Sequence, residues 1–440
     1  MSFHHSSIFI TMAIFTKPKL LFLFFLILSI FLYSQCDEEE NNPYLFESQR
    51  FRSRFKSKHG EFRVLEKFTE RSELLGGLEK YGVAVLEFEP LSFMFPHHCD
   101  AEIILFVVRG RGTISIAEQE EKNSFNLENG DVIRVNAGST IYMINRNNNE
   151  RFFVYVLAKT VNIPGQFQEY FSGGGENPES FYRAFSSEIL ETAFNIPRDT
   201  IEGLFGQQRK GIFVKASEEQ IRAISEHASR STKQQTRGPF NLLNERPLLG
   251  NRFGQYFEAT PERFEQLRDL DAAAGIMNIN QGGMLLPVYC TRTTWFVMVV
   301  EGNGRFEMAC PHLGSQSQRQ GRHYQKVQGS LSVGDVLIIR AGHPITVVAT
   351  GDSDLRMVGI GFNAHNNRMN FLAGRQSIWR NIDREAKEVS FNMPASEVEE
   401  ILQKQDQSYF VAGPEQRQQQ MREEATRERQ YVSSSLDFVF

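Results

Sequence analysis

Cys290, Thr291 and Arg292 set a thiol and a guanidinium two residues apart. At that spacing two side chains of a β-strand share one face, so both would point the same way. His343 follows Gly342 in Arg340-Ala341-Gly342-His343-Pro344, which adds an imidazole and a second guanidinium to the candidates. A buried guanidinium without a partner is costly. If Arg292 and Arg340 both reach an interior, each needs a carboxylate, from the protein or from a bound molecule. A small organic anion is the ligand this pair predicts. No nucleophile elbow, phosphate-binding loop, dinucleotide fingerprint or zinc-protease motif stands in a fitting context, so nothing in the chain supports catalysis. Gly173-Gly174-Gly175 lacks a preceding phosphate-loop strand and reads as a surface turn.

The elements that would position these groups occur twice. Phe95-Pro96-His97-His98-Cys99 leads into the apolar run Ile103 to Val108, then Gly110-Arg111-Gly112 and Gly130-Asp131-Val132 to Ala137-Gly138. Leu286-Pro287-Val288-Tyr289-Cys290 leads into Trp295 to Val300, Gly302-Asn303-Gly304 and Gly334-Asp335-Val336 to Ala341-Gly342. Short runs of Val, Ile and Phe punctuated by Gly-X-Gly and Gly-Asp turns predict antiparallel sandwiches or closed barrels, so each half is a jelly-roll candidate. The main length difference is a polar insertion around Ser315 to Gln325, placed at a surface hairpin.

Helical spacing follows each barrel, at 178–194 and 197–205 in the first half and at 377–382 and 394–402 in the second. Ser396 and Glu399 form a capping box if Ser396 is the N-cap. The polar stretch 217–238 lacks a sustained apolar stripe after Ile224 and is read as the linker. The resulting division is a signal peptide at 1–35, an N-terminal barrel with helical extension at 36–216, and that linker. A C-terminal barrel with helical extension at 239–415 follows, then a polar tail at 416–440 with an apolar end.

With 440 residues, 41% of them hydrophobic, the chain is long enough for two cores and too apolar to be disordered. A net charge of −5 provides no broad basic field, so nucleic acid is not an expected partner. The basic stretch Arg50 to Lys56 is expected to be a solvated arm. Lys17 and Lys19 precede an apolar run from Leu20 to Tyr33, then Ser34-Gln35 and an acidic patch, the pattern of a cleaved secretory signal. Met12 begins a more ordinary signal than Met1 does. The run is short for a membrane anchor, and no membrane partner is expected after cleavage. Cys36 lies at the junction, and Cys99, Cys290 and Cys310 do not make a disulfide framework. No Asn-X-Ser/Thr sequon is present.

The duplicated Gly-Asp-hydrophobic-X-Ala-Gly segments, Asn42-Pro43-Tyr44-Leu45-Phe46, Phe371-Leu372-Ala373-Gly374 and Gln407-Ser408-Tyr409-Phe410-Val411 together resemble the vicilin family of seed storage proteins, the 7S globulins. The likeness runs from about Asn42 to Ala412. It implies a mainly β protein of two cupin barrels, each with a helical extension, assembled as a homotrimer in protein storage vacuoles. It implies no enzyme, and a nutrient reservoir opened by processing proteases at the basic segment Arg230 to Arg237 and at the Gln/Arg tail. The apolar ending Asp437 to Phe440 resembles a vacuolar sorting signal. Enzymatic cupins hold a metal with a His-X-His pair, a Glu and a later His. In the first unit Asp100 and Ile141 break that set, so His97 and His98 are expected to be structural or surface residues. Some vicilins resemble metal-binding cupins and hold copper with a Cys-X-His pair and the His of Ala-Gly-His-Pro. Here that pattern implies Cys290 and His343 as copper ligands, with Arg292 replacing the middle His. Two readings stand: a weak metal site, or a buried free thiol with a turn histidine. A small-ligand carrier similar to the sucrose-binding relatives is the alternative to storage.

Overall fold

The computed structural model describes residues 42–419, 421–423 and 426, apart from 175–176, 207–209, 227, 229–237 and 312–323. The signal segment, Cys36, the bulk of the polar insertion, the basic segment and the apolar ending therefore lie outside the described residues. From Pro43 onward the chain forms one compact unit. It contains two barrels, each built from a seven-stranded and a six-stranded sheet whose ladders are antiparallel.

The apolar runs show why these barrels pack as they do. In strand Ala101–Arg109, Ile103, Leu105 and Val107 face the first barrel's interior, while Ile104 and Phe106 enter a second core shared between the barrels. In strand Thr294–Glu301, Trp295 and Val297 face the second barrel's interior, while Phe296 and Met298 join the shared core. With both faces covered, the period-2 alternation of polar and apolar residues disappears and a continuous apolar run results. The tilted rings of Tyr81 and Phe362 meet at 4.2 Å, and the buried Tyr155 hydroxyl donates to the Phe296 carbonyl at 3.2 Å across the same seam. Each aromatic ring fully buried there contributes roughly 2–3 kcal/mol.

The barrels also exchange strands. Leu45–Phe46, which leads into the first barrel, pairs with Val336–Ile339 at the edge of the second barrel's sheet. Phe240–Asn241, which leads into the second, pairs with Asp131–Val135 at the edge of the first. The Gly-Asp turns fasten both exchanges. Asp335 accepts from Ser332 N at 2.8 Å and Ser48 N at 2.9 Å. Asp131 accepts from Glu128 N at 2.7 Å and Asn241 Nδ2 at 2.9 Å. At the Gly-X-Gly reversals, Gly110 and Gly302 have φ of 87° and 75°. An added Cβ would lie 2.3 Å from the Arg151 carbonyl or 2.0 Å from that of Asp354, so only glycine fits.

Helices follow each barrel at Ser187–Phe194 and Arg198–Gly206, and again at Arg384–Phe391 and Ala395–Gln403. Three local expectations change. Ser396 is not an N-cap: Pro394 holds that position and the helix starts at Ala395, which leaves Ser396 inside the first turn. The capping box belongs instead to Ser217 and Gln220, at the start of a helix Glu218–Ser225 within the stretch read as linker. This helix needs only one turn of apolar contact, Ile221 packing with Ile144 and Ala216. The basic stretch is likewise no solvated arm. Phe51–Ser57 is an edge strand, and Arg54 makes a paired contact with Glu169 at 2.9 and 3.0 Å.

Candidate functional site

Strand Gly283–Cys290 ends at Cys290, and that ending decides where the predicted ligands go. The two-residue rule cannot be extended past it. Arg292 lies exposed in the following turn, where Asn367 Oδ1 accepts from Arg292 N at 3.0 Å and Thr293 N at 3.1 Å. The Cys290 thiol stays inside, hydrogen-bonded by Asn367 and Trp295, and burial pushes it up to about 11. It lines an apolar cavity of about 70 Å³ together with Tyr256, Gly275, Trp295 and Met369, and no arginine reaches that lining. Arg340 is turned toward the first half, where its Nη1 donates to the carbonyls of Leu74 at 2.8 Å and Gly76 at 3.1 Å. Backbone oxygens thus take the place expected of a carboxylate. Arg292 and Arg340 do not form a shared anion site inside the barrel.

His343 is buried, and its Nδ1 lies 3.1 Å from the Ala341 carbonyl. Its ring sits 5.9 Å from that of Tyr44, and the Tyr44 hydroxyl is 3.2 Å from Cys310 Sγ. The thiol brought into this neighbourhood is therefore Cys310, whereas Cys290 is engaged by Asn367 and Trp295. Burial is the largest of the effects that push the Tyr44 hydroxyl upward. Phenol, thiol and imidazole make a mixed donor set of the softness that late transition metals such as copper accept. Tyr44 thus stands beside both Cys310 and His343, whereas Cys290 is bonded by Asn367 and Trp295. Among the described residues no group of three or more His, Cys, Asp or Glu side chains could hold a metal. The signal that sequence reading missed is Cys310-Pro311-His312, the Cys-X-His spacing that Cys290-Thr291-Arg292 lacks, with His312 outside the described residues.

In the first barrel His97 and His98 point to opposite faces, as adjacent strand residues must. His97 is buried, its Nδ1 is 2.8 Å from the Phe95 carbonyl, and burial lowers it to about 4, which keeps the ring neutral. His98 stacks on Tyr170 at 4.9 Å. Ile141 stands opposite His97 in the ladder, so no second imidazole meets it there. The buried polar group that sequence reading missed is Glu169, which burial pushes upward against the pull of Arg54.

Two barrels with this duplicated architecture define a bicupin, and comparison with known proteins agrees. The cupin family profile matches residues 48–202 and 240–399. Vicilin Cor a 11.0101 of Corylus avellana is 45% identical over 388 residues, covering 87% of this chain and 86% of the relative. A crystal structure of the vicilin from Solanum melongena is 71% identical with a TM-score of 0.81, covering 86% of this chain and all of that one. Another Solanum melongena vicilin structure, described as holding different anionic ligands in structurally similar pockets, is 60% identical with a TM-score of 0.83, covering 86% of this chain and 99% of that one. The chain belongs to the vicilin family, the 7S seed storage globulins.

Proposed function

We propose that this vicilin is a nutrient reservoir that reaches the protein storage vacuole through the secretory pathway, accumulates there as a homotrimer, and is later hydrolysed by processing proteases. The observation that carries the reading is the pair of helical extensions. Both expose large apolar side chains on the single chain, available to pack against another copy: Ile189 at 57%, Leu204 at 65%, Val389 at 84% and Ile401 at 62%. The two extensions differ in sequence, so a head-to-tail contact between them is heterologous and closes into a ring when the rotation is threefold. Native mass spectrometry tests this: three copies per particle are expected, and a monomer at micromolar concentration overturns it. The basic segment 230–237 and the tail are the expected first cleavage points, and initial cuts inside the barrels would contradict that.

A second reading, supported by the contact of Tyr44 with both Cys310 and His343, is a copper ion held at that set. Removal of the metal with a chelator, followed by copper titration, should give a thiolate-to-copper absorption band. Cys310→Ser abolishes the band and Cys290→Ser leaves it. The reverse pattern would return the site to Cys290.

A further inference from the structure

A cleft of about 460 Å³ opens between one end of the first barrel and helix Glu218–Ser225. Arg111, Arg146 and Arg222 line it, with Asn147 and Asn148 beside them and Glu218 as its one carboxylate among the lining residues. A neighbouring pocket of about 250 Å³ shares Arg111 and Arg146 and adds Asn126, Asn244 and the carboxylates of Glu128 and Asp131, so the two pockets adjoin as one trough. Of the two acids there, Asp131 is held by the protein's own donors and Glu128 stands at the exposed rim. Asp131 accepts from Glu128 N and from Asn241, and Glu128, although opposite Arg111 in the ladder, makes no ion pair with it.

Several arginines elsewhere are matched with acids: Arg54 with Glu169, Arg134 with Glu102, Arg151 with Glu87 and Glu89, and Arg263 with Glu245. Arg111 and Arg222 have no such partner among the described residues. Nor does the fold require these cations. In the second barrel Asn303 occupies the place of Arg111 between the paired glycines, and Thr350 occupies that of Arg146 in the ladder. Gathering like charges in one concavity is unfavourable until an anion neutralises them. The planar guanidinium fork matches phosphate oxygens two at a time, and Arg146 is already oriented by its Nε bond to the Gly112 carbonyl at 3.0 Å. The volume lies within the usual range for small-molecule sites.

We propose that this trough binds a compact small molecule carrying several phosphate groups. The site does not rest on the reservoir reading, since neither the helical extensions nor Tyr44, Cys310 and His343 take part. Calorimetric titration of the full chain with tripolyphosphate tests it, with citrate as the carboxylate comparison. One saturable site per chain is expected, about tenfold or more weaker in Arg111→Gln/Arg222→Gln and weakened further between 50 and 200 mM salt. Arg111→Lys keeps the charge but loses the fork, and should weaken binding severalfold. Arg52→Gln, on the exposed side of the edge strand, should leave it unchanged. Absence of saturable binding, equal weakening by Arg52→Gln, or tighter binding of citrate than of tripolyphosphate would each overturn the proposal.

Discussion

The two barrels place different chemistry at the same two positions. Beside Cys99 in the first stands Glu169, and beside Cys290 in the second stands Met369. Opposite Phe171 stands His97, and opposite Phe371 stands Val288. One barrel therefore closes its lower end around a carboxylate, an imidazole and Arg54, while the other closes the same end around a thioether, an indole and a small cavity. The frame of strands and glycine reversals is indifferent to this choice. The polar version requires every partner to be present, because a buried charge left alone is far costlier than an apolar gap.

The comparison can be broken most directly at Trp295. It packs above Gly359 and Gly361, where an added Cβ would lie 3.2 and 2.9 Å from the indole. Trp295→Ala enlarges a space that already exists and should destabilise by about 3–5 kcal/mol in chemical denaturation at fixed protein concentration. In the first barrel Arg54→Ala strands Glu169 and should cost about 3–4 kcal/mol. Adding Glu169→Met, the side chain its counterpart carries, should recover most of that loss. If the double variant is no better than the single, the ion pair is not what the position demands.

A third test uses pH. Because His97 is lowered from 6.5 to about 4, the unfolded chain takes up its proton first as pH falls. Its contribution is present above pH 6.5 and lost as pH falls through 4. Two and a half units correspond to about 3 kcal/mol, so the stability of wild type relative to His97→Val should fall by roughly that much over this window. Asp131 and Glu258 act in the opposite sense. Burial raises them to about 6 and about 7, and their contribution, present in acid, fades as pH rises through those values. They are common to both proteins, so the difference between the two titrations isolates the histidine. The smallest effect concerns helix starts. Ser217→Ala removes a capping box and should cost about 1 kcal/mol, while Ser396→Ala, at a serine that caps nothing, should stay within about 0.5 kcal/mol.

The duplicated fold was legible because its signals are local: glycine reversals, Gly-Asp turns and apolar runs each act within a few residues. The helical extensions were legible in part for the same reason, although the helix Arg384–Phe391 was not predicted and Pro394 moved one cap. The site was less so. Tyr44 meets Cys310 across 266 positions of chain, and only the strand exchange brings them together. Alternation along a strand failed at Arg292 because the strand had already ended at Cys290. Arg340 found carbonyls from the first half, a partnership that no spacing within the second half could suggest.

The exchanged strands also bear on how such a molecule comes apart. A single cut between residues 229 and 237 divides the chain into two fragments, yet each fragment still holds a strand belonging to the other's sheet. The nicked protein should run as two bands after denaturation and as one particle before it. Degradation of a stored population would then be governed by the slow release of one clasped half from its partner, with the early cuts leaving mass and shape unaltered.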